Sequence, residues 1–253
     1  MDEETVKREP GFMVRNKKLF ITIFVLFIFG FGGNYYIKKS TVKKELGTSS
    51  IIDSLITDGT GASEEGPVAN VNGVEITRAE YQSKLKEIAS ALTRLGYNIN
   101  NSKITAQVRQ QATAELVNFE LLYQNAVNAG YNVSEAEVET AYQAVLADMG
   151  SQEVLELTLK DRDMTTDDLL ENINRQLIID AYIKASTEVE NVSISDEEVA
   201  EYYGQISVTS TDIPPLENIA LDLKTQLFQE KQQQVVTDFI QVLRTDATIE
   251  VYN

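Results

Sequence analysis

Four times in this chain a Ser or Thr stands three residues before a Glu or Asp at the head of an apolar run: Thr77/Glu80, Ser134/Glu137, Thr165/Asp168 and Ser195/Glu198. In such a capping box the hydroxyl takes one free backbone N–H at a helix start and the carboxylate reaches back to another. The chain therefore announces its own helix N-termini. The runs that follow have helical spacing. Residues 78–95 carry Tyr81, Leu85, Ile88, Leu92 and Leu95, with Gly96 as the stop. Residues 104–129 carry Val108, Ala112, Leu116, Phe119, Leu122 and Ala126, after which Gly130 supplies the left-handed residue that ends a helix. Residues 135–149 follow with Val138, Tyr142, Val145 and Met149 and end at Gly150, and 151–160 make a short helix. Behind Thr165 the core face is Leu169, Leu170, Ile173, Leu177 and Ala181. The box at Ser195 opens a short helix ending at Tyr202-Tyr203-Gly204. Pro214 and Pro215 stand at the mouth of a last helix to about Arg244, striped by Leu216, Ile219, Leu223, Leu227, Val236, Phe239 and Leu243, since proline suits a first helical turn.

Two stretches are not helical. Residues 68–71 and 74–76 flank Asn72-Gly73, the favoured two-residue hairpin turn. At the other end residues 248–252 alternate, with Ile249 and Val251 on one face, and are expected to add a strand beside residues 68–71. That pairing brings the last helix back onto the helices at 104–129 and 166–186.

Ahead of the helical part lie 19 residues without a charge, 19–37, which is close to what a bilayer core requires. Lys17, Lys18, Lys38 and Lys39 close its ends, and Tyr35 and Tyr36 sit where interfacial aromatics sit. A cleaved signal peptide is the competing reading, with Gly30 and Gly32 before the cut; the long 18-residue leader, which carries Asp2, Glu3, Glu4 and Glu9, and the absence of Ala-x-Ala speak against it. A lipoprotein anchor would need a cysteine, and there is none. Five Lys/Arg precede the segment and four follow it, so charge alone does not orient it. A short leader before a large polar domain suits a signal anchor that leaves the domain outside. The layout expected is a cytoplasmic tail at 1–18, a transmembrane helix at 19–37, a flexible linker at 38–67 and a helical domain at 68–253.

Composition narrows the chemistry. Neither cysteine nor histidine occurs, which removes disulfides, thiolate catalysis, imidazole bases and the commonest zinc ligands. The net charge of −17 lies entirely beyond residue 65, because the first 65 residues hold nine acidic and nine basic side chains. Such a body repels nucleic acid. Of the acidic groups at Asp161/Asp163, Asp167/Asp168 and Asp196–Glu198, the run from Asp161 lacks the spacing of a calcium loop, and Asp167, Asp168, Asp196 and Glu197 read as helix-start carboxylates favoured by the macrodipole. Asn132 and Asn191 head sequon-like triplets that lie on capping turns, and chance explains them. No nucleophile elbow, phosphate loop or dinucleotide fingerprint occurs.

The stretch NGVEIT at 72–77 and the run LVNFELLYQNAVNAGYNVSEAEV at 116–138 resemble the SurA N-terminal domain family, in which a hairpin "NG-x-x-I-T" precedes the first helix and an "L-I-x-x-x-L-L-x-x-x-A-x-x-x-G-hydrophobic-x-V-S-x-x-E-V" run joins the second to the third. Residues 159–185 and 191–205 resemble later parts of the same family, although Asp163-Met164 replaces a usual glycine, and the likeness extends over about 68–252. Catalytic relatives insert a parvulin isomerase domain before the last helix. Here only residues 204–213 intervene, and the chain has no histidine. The resemblance implies a mainly α fold: a SurA N-terminal-like helical chaperone domain with a small β element, preceded by one transmembrane helix. It further implies a holdase without isomerase activity in a bacterial cell membrane, its domain extracytoplasmic, binding unfolded or nascent secreted polypeptides near the translocon. No cofactor, metal or nucleic acid is expected. Tyr123, Tyr131, Tyr142, Met149, Met164 and Tyr182 are candidate client-facing residues, since mobile Met and aromatic side chains accept many sequences. Two other readings stand beside this one: a membrane-tethered adaptor holding one folded partner, and more remotely a peptidyl-prolyl isomerase.

Overall fold

The computed structural model describes residues 66–94, 97–99, 101–162, 164–209 and 213–252. The segments 1–18 and 19–37, the linker up to residue 65, Gly96 and Asp163 lie outside the described residues. Among the described residues no helix is long and apolar enough to cross a membrane.

Asn72 and Gly73 take positive φ, 53° and 92°, as the tight hairpin turn demands, and they join β1 (Ala69–Val71) to β2 (Val74–Ile76). The expected tail strand forms as β3 (Ile249–Val251). It pairs antiparallel with β1, Val71 opposite Ile249 and Ala69 opposite Val251, giving a sheet of order β2-β1-β3. Val251, however, is 50% exposed, so Ile249 carries most of the apolar contribution of that strand.

The helices begin where the capping boxes put them. In α1 (Arg78–Arg94) the Thr77 N–H donates to Glu80 Oε2 at 2.8 Å and the Glu80 N–H donates to Thr77 Oγ1 at 3.2 Å. The same reciprocal pair opens α3 (Glu135–Met149) at Ser134/Glu137 and α5 (Thr166–Ser186) at Thr165/Asp168. Between these, α2 (Ser102–Asn128) starts two residues earlier than expected because Asn101 accepts from the Lys103 N–H and caps it. Gly130 (φ 86°) and Gly150 (φ 84°) are the left-handed stops after α2 and α3. The short helix α4 (Gln152–Asp161) is capped by Ser151, and a 3₁₀ turn, Val189–Asn191, follows α5. The fourth box, Ser195/Glu198, opens α6 (Asp196–Thr209), and α7 (Leu216–Thr245) closes the helical series.

Two expectations are corrected here. Gly204 does not end α6, which continues five residues further to Thr209, because an interior glycine costs a helix only about 1 kcal/mol and nothing at 204 demands a left-handed residue. The core face of α5 is also displaced: the buried residues are Ile178, Ile179 and Ile183, while Leu169, Leu170, Ile173, Leu177 and Ala181 are only half-buried.

The described chain falls into two compact units. The larger lies within Lys38–Val192 plus Gln234–Asn253. Its main core gathers Val71 of β1, Leu85 and Ile88 of α1 and Val108, Val117 and Leu121 of α2, with Leu243, Ala247 and Ile249 from the chain end packed against it. Each fully buried aliphatic side chain contributes about 1.5–3 kcal/mol. The second half of α7 meets α5 through Phe239 on Tyr182 and α2 through Arg244, which donates to Asn118 Oδ1 at 2.6 Å, so the last helix returns to the helices at 104–129 and 166–186 as expected. The described part of the smaller unit is residues 193–209 and 213–233, where Ile194, Val199 and Leu223 are buried among Tyr202, Tyr203, Ile206, Leu227 and Phe228. Exposed ion pairs Lys224–Asp196 (2.7 Å) and Lys231–Glu198 (2.8 Å) link its two helices.

Candidate functional site

In the larger unit α2 and α5 pack side by side and carry most of the aromatic and charged features of interest. Glu120 of α2 is buried, 9% exposed, and its Oε2 accepts from Arg175 of α5. The guanidinium lies over two rings of α2, 4.4 Å from the centroid of Tyr123 and 5.0 Å from that of Phe119. Tyr123 is therefore half-buried under a cation. The other carboxylate oxygen accepts from Gln124 Nε2 at 2.8 Å, and the same amide also reaches Val71 O at 2.9 Å. Gln124 Oε1 in turn accepts from Asn72, whose side-chain oxygen accepts from the Thr248 N–H at 2.8 Å. One polar chain thus runs from α5 through α2 and the hairpin turn to β3.

A second group is purely aromatic. Tyr131, in the loop after Gly130, meets Tyr182 of α5 edge-on with centroids 5.5 Å apart, and Tyr182 meets Phe239 of α7 at 5.4 Å. All three rings are half-buried. Tyr131 and Tyr182 are thus brought together. Sequence reasoning placed Phe239 in the core stripe and passed over Arg175, although Arg175 is the single basic residue between Arg162 and Lys184 and so stands out on its helix. The remaining candidates stand apart from this group. Tyr142 is half-buried and donates to Gln152 Oε1 at 3.3 Å, tying α3 to α4. Met149 is 38% exposed at the end of α3, not on a core face as its spacing suggested. Met164 lines a pocket of about 340 Å³ with Glu156, Leu159, Lys160, Thr165 and Thr166.

Electrostatics set the pH response of this unit. Burial pushes Glu115 of α2 up to about 7 from 4.5, against the opposing pull of Gln111, which donates to it at 2.8 Å, and of Lys84 at 3.9 Å. Burial likewise pushes Asp180 up to about 6 from 3.8, opposed by Gln176 and Lys184. A carboxyl raised on folding binds its proton more tightly in the native state. Its contribution to stability is whole below the unfolded value and is lost as pH rises through the folded one. Stability is thus expected to increase as pH falls from about 8 towards 5. Below that the exposed cap carboxylates Glu137 and Asp168, lowered by their backbone N–H and hydroxyl partners, begin to lose their contribution. Replacing Glu115 with Gln should raise the thermal midpoint at about pH 8, removing up to about 3 kcal/mol of cost, and flatten the acid-side gain. Thermal melts across pH check this, and an unchanged slope in the Gln variant would refute the assignment to Glu115.

Chemically, the two ring groups offer apolar and π surface. Among the described residues no group of three or more acidic side chains is arranged to hold a metal ion. A family model described as SurA-like N-terminal domain matches residues 13–153, more than half of the 253 residues. The match takes in the hairpin, α1, α2 and α3, with Tyr123, Tyr131, Tyr142 and Met149. It stops before Met164, Arg175 and Tyr182, so the likeness noted at 159–185 and 191–205 lies outside it. No curated protein matches the chain.

Proposed function

The chain belongs to the SurA-like N-terminal domain family, a chaperone-type family, and from that premise we propose that it is a membrane-anchored extracytoplasmic holdase that binds unfolded secreted polypeptides without isomerising them. The observation that carries this reading is the Tyr131–Tyr182–Phe239 ring group, which joins three rings from two helices and a loop and leaves all three half-buried. Rings of this kind add apolar area at low entropic cost and make no demand on client sequence. Only six residues, 210–215, join α6 to α7, which leaves no room for a catalytic insert of ordinary domain size. The uncharged segment 19–37 supplies the anchor. Roughly 30 residues of linker reach on the order of 30 Å, enough to follow chains leaving a translocon.

The test is aggregation of a reduced, denatured client at several-fold excess of the full chain in non-ionic detergent. Suppression is expected, and exchanging Tyr131 and Tyr182 together for Ser should weaken client binding roughly tenfold, equivalent to about 1.4 kcal/mol. Absence of suppression by the unaltered chain would sink the holdase reading. Recovery of one folded partner in fixed stoichiometry would point to an adaptor instead.

A further inference from the structure

We propose that the outward face of α4, together with the acidic helix α3 beside it, docks cationic apolar segments of client polypeptides; this names a client class for the holdase and rests on that reading. α4 turns Leu155 and Leu159 to the interior and leaves Val154 (46% exposed) and Leu157 (61% exposed) outside. Three residues apart, these two lie on one face, a turn from each other. Met149, 38% exposed, ends the preceding helix. Single exposed apolar residues are ordinary on a protein surface, but here three fall within nine positions, two on one short helix and one at the end of the helix before it. Further round α4, Glu156 and Lys160 edge the pocket floored by Leu159 and Met164, which has space for an apolar side chain.

Charge names the occupant. Residues 131–171 carry eleven carboxylates against Lys160 and Arg162, and none of the described ones is ion-paired among the described residues. Elsewhere Glu120, Glu190, Asp196 and Glu198 each have a basic partner. Nor is the negative field simply that of an acidic chain, because residues 78–109 hold six basic side chains and only two acidic ones. The field is densest on α3, α4 and the start of α5, where residues 131–171 supply a net −9 of the chain's −17. It repels a second copy of itself, anionic lipid and nucleic acid, and it attracts an extended segment in which Lys or Arg alternate with apolar residues.

Fluorescence anisotropy of the full chain in non-ionic detergent tests this with three labelled peptides of equal apolar content, bearing Lys, Ser or Glu at the polar positions. The Lys peptide is expected to bind about tenfold or more tighter than the Glu peptide at low salt, with the gap closing near about 0.5 M salt. Val154→Ser with Leu157→Ser should weaken the Lys peptide roughly fivefold and leave the thermal midpoint in place, since both side chains face solvent. Glu153→Gln with Glu156→Gln should reduce the salt dependence. Equal affinity for Lys and Glu peptides, or indifference to the Val154 and Leu157 changes, would overturn the proposal. If client aggregation is still suppressed in those cases, the holdase reading stands without it. If neither peptides nor client bind, both fall.

Discussion

Deleting residues 247–253 is expected to lower the thermal midpoint of the larger unit by more than about 10 °C, not merely to fray its end. The deletion removes Ala247 and Ile249 from the core against which they pack. It also strips β1 of a neighbour. The Asn72 N–H loses Thr248 O at 2.8 Å, the Asn72 side chain loses the Thr248 N–H, and Val68 O loses the Tyr252 N–H at 2.9 Å. Val71 and Ala69, fully buried in the middle strand, would then flank an open edge. Half-burying Ile249 contributes about 1 kcal/mol and each hydrogen bond about 0.5–1.5, so the sum is on the order of 4 kcal/mol. Against a total stability of about 5–15 kcal/mol that is a large fraction. Thermal melts followed by circular dichroism measure it. An unchanged midpoint would mean that the tail closes nothing.

What could be read from the sequence was what is decided locally. A capping box involves four consecutive residues, so the starts of α1, α3, α5 and α6 were legible, as was the Asn72-Gly73 turn. The pairing of β3 with β1 was legible because alternation at the chain end has few other uses in a helical protein. Burial was harder, since which side of a helix is buried depends on its neighbours. The three- and four-residue spacing in α5 fits Leu169, Ile173 and Leu177, yet packing against α2 and α3 buries Ile178, Ile179 and Ile183. In α2 the stripe passed over Glu120, because a buried carboxylate looks like a surface residue until its partner is known. That partner lies 55 positions away. For the same reason Tyr131 and Tyr182 could be named singly as candidates but not joined, while Phe239 went to the core.

The Glu120–Arg175 pair makes the second large expectation. Exchanging Arg175 for Met leaves a carboxylate that is only 12% exposed without its cation, and uncovers the rings of Phe119 and Tyr123. Removing one member of a buried pair costs about 3–5 kcal/mol, far more than the intact pair contributes, because the penalty is that of the stranded charge. The converse change, Glu120→Gln, keeps an acceptor for Gln124 and leaves Arg175 18% exposed over two π-faces, so it should cost less. Combining Glu120→Gln with Arg175→Met removes both charges and should recover most of the stability lost in the Arg175 variant. A double-mutant cycle in urea reads the coupling directly. If Arg175→Met alone costs under about 1 kcal/mol, water screens the pair, and the joining of α5 to α2 is carried by apolar contact rather than by charge.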